Sequence, residues 1–279
     1  MNDIFKNDVK SAWCPGCSNF GMLAAARKAF SEAGLKPHEV VLVSGIGQAA
    51  KFPHYLKCNF FNGLHGRALP VATAIKAVNP KLKVIVTTGD GDCYGEGGNH
   101  FLHAIRRNPD ITLIVHNNEI YALTKGQASP TTKLGVKTKL QFGGVHQKPF
   151  NPLLAALAMG CGFVARGFAG DIEHFSGLIK SALAFKGLSL IDVIQPCITF
   201  GEYKTDYYKD KVFKIPDTHA LADYDSAIKL LSQTSEKIPT GVFYKNANGE
   251  NCFGAKTDIT DFDLTAIKNN LKELLNEFA

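Results

Sequence analysis

The sequence predicts an α/β fold built on a mostly parallel sheet with helices on both faces. Two observations carry this: short, continuously apolar runs recur along the chain, and segments of helical spacing separate them. Apolar runs without alternation mark strands buried on both faces, the condition of a parallel sheet covered by helices. Ligands of such sheets sit in the loops at the carboxyl ends of the strands.

From about residue 19, Phe20, Leu23, Ala24, Arg27 and Phe30 recur at helical spacing, with Ser18 ahead of them as a cap. Val40-Val41-Leu42-Val43 reads as a buried strand. The alternation then repeats: a helix near Pro70 to Val78, a strand at Val84-Ile85-Val86, a helix near Gly98 to Arg107 and a strand from Ile111 to Val115. Later come a helix near Pro152 to Met159, a strand near Phe163 to Ala165, a helix near Ile172 to Phe185 and a strand from Leu190 to Ile194. The stretch from Glu119 to Pro149, rich in Gly, Thr, Lys and Gln, has no period and predicts a long functional loop. After Phe200 the chain turns polar and irregular, then ends in a helix near Asp263 to Phe278. The expected division is a cofactor-binding domain over residues 1–203 and a partner-contacting extension over residues 204–279.

Composition narrows the function. The 279 residues are 45% hydrophobic and 20% charged, an ordinary globular balance. A net charge of +6 is spread along the chain without a basic block or aromatic-basic interleaving, so nucleic acid is not an expected partner. The start, Met1-Asn2-Asp3-Ile4-Phe5-Lys6, is no secretory leader, and no apolar run approaches a membrane span. The expectation is a soluble, cytoplasmic protein. Its seven cysteines are then core residues or cofactor ligands rather than a disulfide framework.

The main signal begins where the strand ending Thr87-Thr88 runs into Gly89-Asp90-Gly91-Asp92, with Asn117-Asn118 closing the next strand. One strand, one helix and one further strand link Asp90 to Asn118, so a right-handed crossover sets both at one edge of the sheet on neighbouring strands. A carboxylate, an amide oxygen and a backbone carbonyl such as that of Ile120 give three hard oxygen ligands for magnesium, which completes its octahedron with diphosphate oxygens and water. Gly89 and Gly91 let backbone approach phosphate, and the helix after Gly95 offers its N-terminus to the anion. The preceding strand, and the lack of Glu at the twelfth position, exclude an EF-hand loop.

This constellation resembles the magnesium–thiamine diphosphate motif. The string from Asn117-Asn118-Glu119-Ile120 through Thr124-Lys125-Gly126-Gln127 to Ser129-Pro130-Thr131-Thr132 is similar to that of the β subunit of 2-oxoacid:ferredoxin oxidoreductases. The resemblance covers about residues 11 to 203 closely and the tail loosely, and implies a thiamine-diphosphate-binding fold with Asp90, Asn118 and the Ile120 carbonyl on the metal. It also implies that Asp92 and the glycines flanking Asp90 bind cofactor, and that Leu123 and Thr124 belong to the catalytic set.

A rival signal, Gly45-Ile46-Gly47-Gln48-Ala49-Ala50, matches the dinucleotide fingerprint, but Pro53 interrupts the required helix and no acidic residue follows about twenty positions on. From the residues alone, Lys51 reads equally as a solvated side chain and His65 as a core histidine. The family resemblance puts Gly47, His65 and Gly66 at the cofactor and Lys51 near the substrate.

Trp13-Cys14-Pro15-Gly16-Cys17 inverts the Pro and Gly of the thioredoxin motif and follows no apolar strand, so dithiol redox chemistry is not expected. A C-x-x-C pair serves zinc and iron–sulfur clusters alike. The resemblance favours a 4Fe–4S cluster on Cys14, Cys17 and Cys197, the last within Gln195-Pro196-Cys197. Where the family commonly has a further Cys, this chain has Gln48. Cys58, ten positions on, is the expected surrogate; Cys93, Cys161 and Cys252 are expected to be structural.

Only one diphosphate-type domain is visible. The resemblance therefore implies an α subunit, or one fused to a γ portion, that supplies the pyrimidine-facing domain and the activating Glu. It further implies coenzyme A, a 2-oxoacid (2-oxoglutarate favoured by the Thr124-Lys125-Gly126-Gln127 wording) and ferredoxin as reaction partners. The alternatives at this point are a cluster-free thiamine-dependent decarboxylase or carboligase subunit and a non-catalytic assembly subunit.

Overall fold

The computed structural model describes residues 3–233 and 236–246. Helix α1 (Asn19–Glu32) precedes β1 (Val40–Ser44) and the short edge strand β2 (Asn59–Asn62). Next come α2 (Ala68–Val78), β3 (Lys83–Gly89), α3 (Gly98–Arg107) and β4 (Ile111–Asn117). A small hairpin, β5 (Ile120–Tyr121) and β6 (Gln127–Ala128), interrupts what the sequence read as loop. The chain then forms α4 (Pro152–Ala158), β7 (Phe163–Phe168), α5 (Ile172–Ala184), β8 (Ser189–Ile194), α6 (Thr205–Lys209), β9 (Val212–Lys214), α7 (Tyr224–Ser232) and β10 (Ile238–Lys245).

Eight strands form one sheet in the order β2-β1-β3-β4-β8-β7-β10-β9. The pairings from β2 to β7 are parallel; β10 runs antiparallel to β7 and parallel to β9. Successive strand residues feed opposite cores. Leu42, Ile85, Ile114 and Ile191 pack with Met22 and Phe30 of α1 and Phe175 and Ile179 of α5. Val43, Val86, Leu113 and Leu190 pack on the other face with Leu69, Phe101, Leu153 and Leu231. Period-two alternation between two apolar layers is why these strands read as unbroken hydrophobic runs.

Helix starts follow local chemistry where it is free to act. The side chains of Asn151, Asp171 and Asp223 accept from Leu154, His174 and Ser226 backbone N–H at 3.1, 3.0 and 3.0 Å, and Pro152 opens α4. Ser18 does not cap α1 as its position suggests. Its hydroxyl donates to the Pro196 carbonyl and accepts from Gln195 Nε2, both at 2.8 Å, so it is spent on tying the N-terminal segment to the end of β8.

Residues 204–246 are more regular than their polarity suggests. Pro239 and Gly241 lie inside β10, which sits between β7 and the edge strand β9 and bulges between Val242 and Tyr244, and these residues hid it from the pattern. The expected helix from Asp263 to Phe278 and Cys252 lie outside the described residues.

Candidate active site

The ends of β1, β3 and β4 meet at one edge of the sheet. Gly89 pairs with His116 across β3 and β4, so Asp90 and Asn118 leave adjacent strands side by side, and the Asn118 N–H lies 3.4 Å from Asp90 Oδ1. Asp90 is 1% exposed; its other oxygen accepts from Ser129 Oγ at 2.5 Å and Thr131 Oγ1 at 2.6 Å. Burial, aided by the charge of Asp192, raises the Asp90 carboxyl to about 6 despite these donors. The Asn118 side-chain oxygen accepts from the Ile120 N–H at 3.1 Å. Between them Glu119 takes φ +61°, a left-handed turn that costs a non-glycine residue about 1–3 kcal/mol. The Thr132 hydroxyl on the Glu119 carbonyl at 2.6 Å and Lys133 on its carboxylate at 3.5 Å hold that turn.

Asp92 organises rather than waits for a ligand. Oδ1 accepts from the N–H of Gly66 at 2.7 Å and of Ile46 at 3.2 Å and meets His65 Nδ1 at 2.6 Å; Oδ2 accepts from Thr88 Oγ1 at 2.5 Å. One buried carboxylate thereby fixes the Gly45–Gln48 loop, the His65–Gly66 turn and the end of β3. A turn of π-helix, Gly91–Glu96, begins directly after Asp90, so the helical N–H groups nearest the site belong to it and not to α3 after Gly95 as expected.

One pocket here is lined by Gly47, His65, Gly89, Asp90, Gly91, Asp92, Asn118, Ile120, Leu123 and Thr124 among others. The structure thus brings together most of the residues expected at cofactor and substrate. Lys51 is not among the lining residues: it is half-buried on the 3-10 turn Ala49–Tyr55. Gly89 has no atom within 4 Å of where a Cβ would stand, whereas a Cβ on Gly91 would come 2.3 Å from the Tyr121 ring.

A second pocket is lined by Trp13, Cys14, Cys17, Asn19, Gln48, Gln195, Cys197 and Phe200, and shares Gln48, Asn118 and Ala122 with the first. Burial raises the Cys17 thiol, with the nearby Cys197 and Cys14 adding to it and the Asn19 backbone N–H opposing. Cys197 Sγ accepts from the Phe200 N–H at 3.4 Å, and Cys17 Sγ from Gln195 Nε2 at 3.9 Å. The structure does not bring Cys58 to this pocket. It precedes β2, whose Asn59 pairs with Val41, so it sits near the amino end of β1, roughly 13 Å of strand from the carboxyl end. There it packs against the core, and burial pushes its thiol up to about 12. The lining residue on the Gly45–Gln48 loop is Gln48 itself, where the sequence had assigned a surrogate.

Sequence reasoning also missed a buried network under the site. Asp192 of β8 accepts from Tyr94 Oη at 2.8 Å and from Asn117 Nδ2 at 3.1 Å, opposite Arg166 of β7. Its one signal was a charged residue inside the apolar run Leu190 to Ile194.

Residues 40–193 match the family of the thiamine pyrophosphate enzyme C-terminal TPP-binding domain, and residues 197–256 match the C-terminal part of the pyruvate ferredoxin oxidoreductase beta subunit. The chain is 43% identical over 254 residues to 2-oxoacid:ferredoxin oxidoreductase 1, subunit beta, of Aeropyrum pernix, covering 87% of this chain and 80% of that one. It is 46% identical over 251 residues to the Saccharolobus solfataricus 2-oxoacid:ferredoxin oxidoreductase subunit beta, covering 84% and 81%. This chain belongs to the 2-oxoacid:ferredoxin oxidoreductase beta subunits.

Within that family it is also 39% identical over 202 residues to the 2-oxoglutarate oxidoreductase subunit KorB of Mycobacterium tuberculosis, covering 72% of this chain and 54% of that one. The 2-oxoglutarate:ferredoxin oxidoreductase from Magnetococcus marinus, solved with 2-oxoglutarate, coenzyme A and succinyl-CoA bound, superposes with a TM-score of 0.87 at 32% identity, covering 98% of this chain and 94% of that one. As a beta subunit of this family the chain is part of an oxidoreductase, and residues 40–193 form its thiamine diphosphate domain. No helix among the described residues is long and apolar enough to cross a membrane.

Proposed function

We propose that this beta subunit works in coenzyme A-dependent oxidative decarboxylation of 2-oxoglutarate, with electrons passing through a 4Fe–4S cluster to ferredoxin. The observation that carries this is the adjacency of the two pockets, one built for diphosphate and metal, the other walled by three cysteines, sharing Gln48, Asn118 and Ala122.

The first pocket suits magnesium and diphosphate. Its donors are a carboxylate, an amide oxygen and a main-chain carbonyl, the hard set magnesium takes alongside phosphate oxygens. Asp90, Asn118 and the Ile120 carbonyl would hold the metal, and the bare surface at Gly89 admits the diphosphate. Thiamine diphosphate supplies the electron sink for decarboxylation. Asp92 holds His65 at the pocket, and Leu123 and Thr124, which also line it, would belong to the catalytic set.

The second pocket suits a cluster. Cys14, Cys17 and Cys197 wall it, and three neighbouring thiolates repel unless iron neutralises them, the effect already felt at Cys17. N–H donors on Cys197 and Cys17 are the kind that tune cluster potential.

An alpha or alpha/gamma subunit would supply the pyrimidine-facing domain and the activating Glu, with residues 204–279 as the partner-contacting extension. None of the six described cysteines is joined in a disulfide, in keeping with a reducing cytoplasm. The purified complex, given a panel of 2-oxoacids with coenzyme A and ferredoxin, should reduce ferredoxin fastest with 2-oxoglutarate, and this chain alone should be inactive. Equal rates across the panel would remove the 2-oxoglutarate assignment; turnover by the isolated chain would remove the need for the partner.

A further inference from the structure

Building on the cluster reading above, we infer that three thiolates, from Cys14, Cys17 and Cys197, hold this cluster, that its fourth iron faces Gln48, and that this iron is labile.

The polypeptide brings Gln48 to the cysteines through its backbone. The Trp13 Nε1–H donates to the Gln48 carbonyl at 2.8 Å, locking the Gly45–Gln48 loop against the residue beside Cys14. Cys14 and Cys17 are closed into one turn by the Cys17 N–H on the Cys14 carbonyl at 3.0 Å, with Gly16 at φ +76°. Ser18 and Gln195 bridge that turn to the segment leading into Cys197. Three thiols and four amides therefore wall a single pocket, and the side-chain oxygens of Asn19, Asn118 and Gln195 are already met by His116, the Ile120 N–H and Asn118 Nδ2.

The side chain of Gln48 carries the second observation. Its Oε1 is buried and has no hydrogen-bond partner. A buried acceptor without a donor costs about 1–3 kcal/mol, so native folds seldom keep one unless something outside the polypeptide meets it. Other described thiols do not compete. Cys93 and Cys161 are buried in the core on the far face of the sheet, and Cys58 sits toward the amino end of β1.

The chemistry follows from ligand type. An amide oxygen is a weak, hard ligand for iron in a sulfur environment, so the iron opposite Gln48 is held mainly by three cluster sulfides. One-electron oxidation by ferricyanide, which becomes ferrocyanide, raises the 4Fe–4S core from charge 2+ to 3+. That core then divides into a 3Fe–4S core of charge 1+ and Fe(II); the bonds broken are those of the departing iron to its sulfides and to Gln48, and no thiolate leaves. Having three thiolates rather than four also removes one negative charge, which raises the reduction potential. Because Gln48 lines the diphosphate pocket too, the corner without a thiolate is the one turned toward the electron source.

The test uses the full chain purified anaerobically, with iron and sulfide assays, electron paramagnetic resonance and one equivalent of ferricyanide. The expected result is about four irons per chain falling to about three, with the signal of an oxidised 3Fe–4S centre. Gln48→Cys should keep the fourth iron under the same oxidant and shift the potential downward, while Cys58→Ser and Cys252→Ser should behave as the parent. A parent cluster as resistant as that of Gln48→Cys, or one destabilised by Cys58→Ser or Cys252→Ser, would overturn the inference and leave the cluster reading standing. If Gln48→Cys does not fold, the parent oxidation decides by itself. A preparation with neither iron nor sulfide would overturn both.

Discussion

His65 Nδ1 lies 2.6 Å from Oδ1 of Asp92, a carboxylate that is 2% exposed and that also receives Gly66, Ile46 and Thr88. The diphosphate pocket is therefore shaped by a residue whose oxygens are already occupied by protein donors.

Replacing Asp92 by Ala strands those buried donors. The variant should lose about 3 kcal/mol or more of stability, because each unpaired buried group carries a desolvation penalty. Thiamine diphosphate should also bind more weakly as His65 and the Gly45–Gln48 loop lose their anchor. Urea denaturation and cofactor titration read the two effects; parent-like values in both would refute the anchoring role.

Asp90→Ala should separate binding from folding. Asp90 is costly to ionise where it lies, its carboxyl raised to about 6 mainly by burial, so the metal-free variant should stay within about 1–2 kcal/mol of the parent. Magnesium-dependent thiamine diphosphate affinity should fall by more than about a hundredfold, since the proposed charged metal ligand is gone. Unchanged affinity would contradict the metal assignment.

His116 sets a pH dependence. Fully buried at the end of β4, with Nδ1 2.8 Å from Asn19 Oδ1, its pKa is pushed down by burial to about 3. The folded state holds it neutral while the unfolded chain protonates it near 6.5. Its contribution is complete above that value and is lost as pH falls toward 3, amounting to about 2 kcal/mol between pH 6.5 and 5. His116→Leu should flatten the acid limb of the stability profile by about that amount in denaturant titrations at pH 7 and 5; an unchanged slope would show that other groups govern it.

Two glycines near the site should fail differently. Gly66 has φ +74°, and an added Cβ would stand 2.5 Å from the Glu96 carbonyl carbon, so Gly66→Ala strains backbone against backbone. It should lower the melting temperature clearly. Gly91→Ala meets the Tyr121 ring first, a side chain that can swing away from Glu96, to which its hydroxyl donates at 3.1 Å. That variant should fold and lose cofactor affinity. Circular dichroism melts and cofactor titration on both would expose the opposite ranking if the glycines serve another purpose.

The parallel sheet and the meeting of Asp90 with Asn118 were legible because both depend on local rules: apolar runs buried on two faces, and a crossover that returns the chain to the next strand. The hairpin within 119–149 was not, since two-residue strands leave no period. Nor was β10, whose Pro239 near its start and Gly241 beside its bulge break the apolar pattern.

By itself the sequence determined which chemistry the chain carries: hard oxygens beside glycines at strand ends, and a Cys pair with a distant third Cys. Which groups face one another was decided only by tertiary structure. Ser129 and Thr131 reach Asp90 across 39 and 41 residues from within the aperiodic stretch after Glu119, and no local spacing encodes that return. Cys58 lies closer to Gln48 in sequence than any other thiol, yet the parallel pairing of β2 with β1 carries it back to the amino end of the sheet. The Trp13 ring holds Gln48 at the cysteine pocket instead, because a parallel strand must begin where its neighbour begins, and only loops at the carboxyl ends are left to meet there.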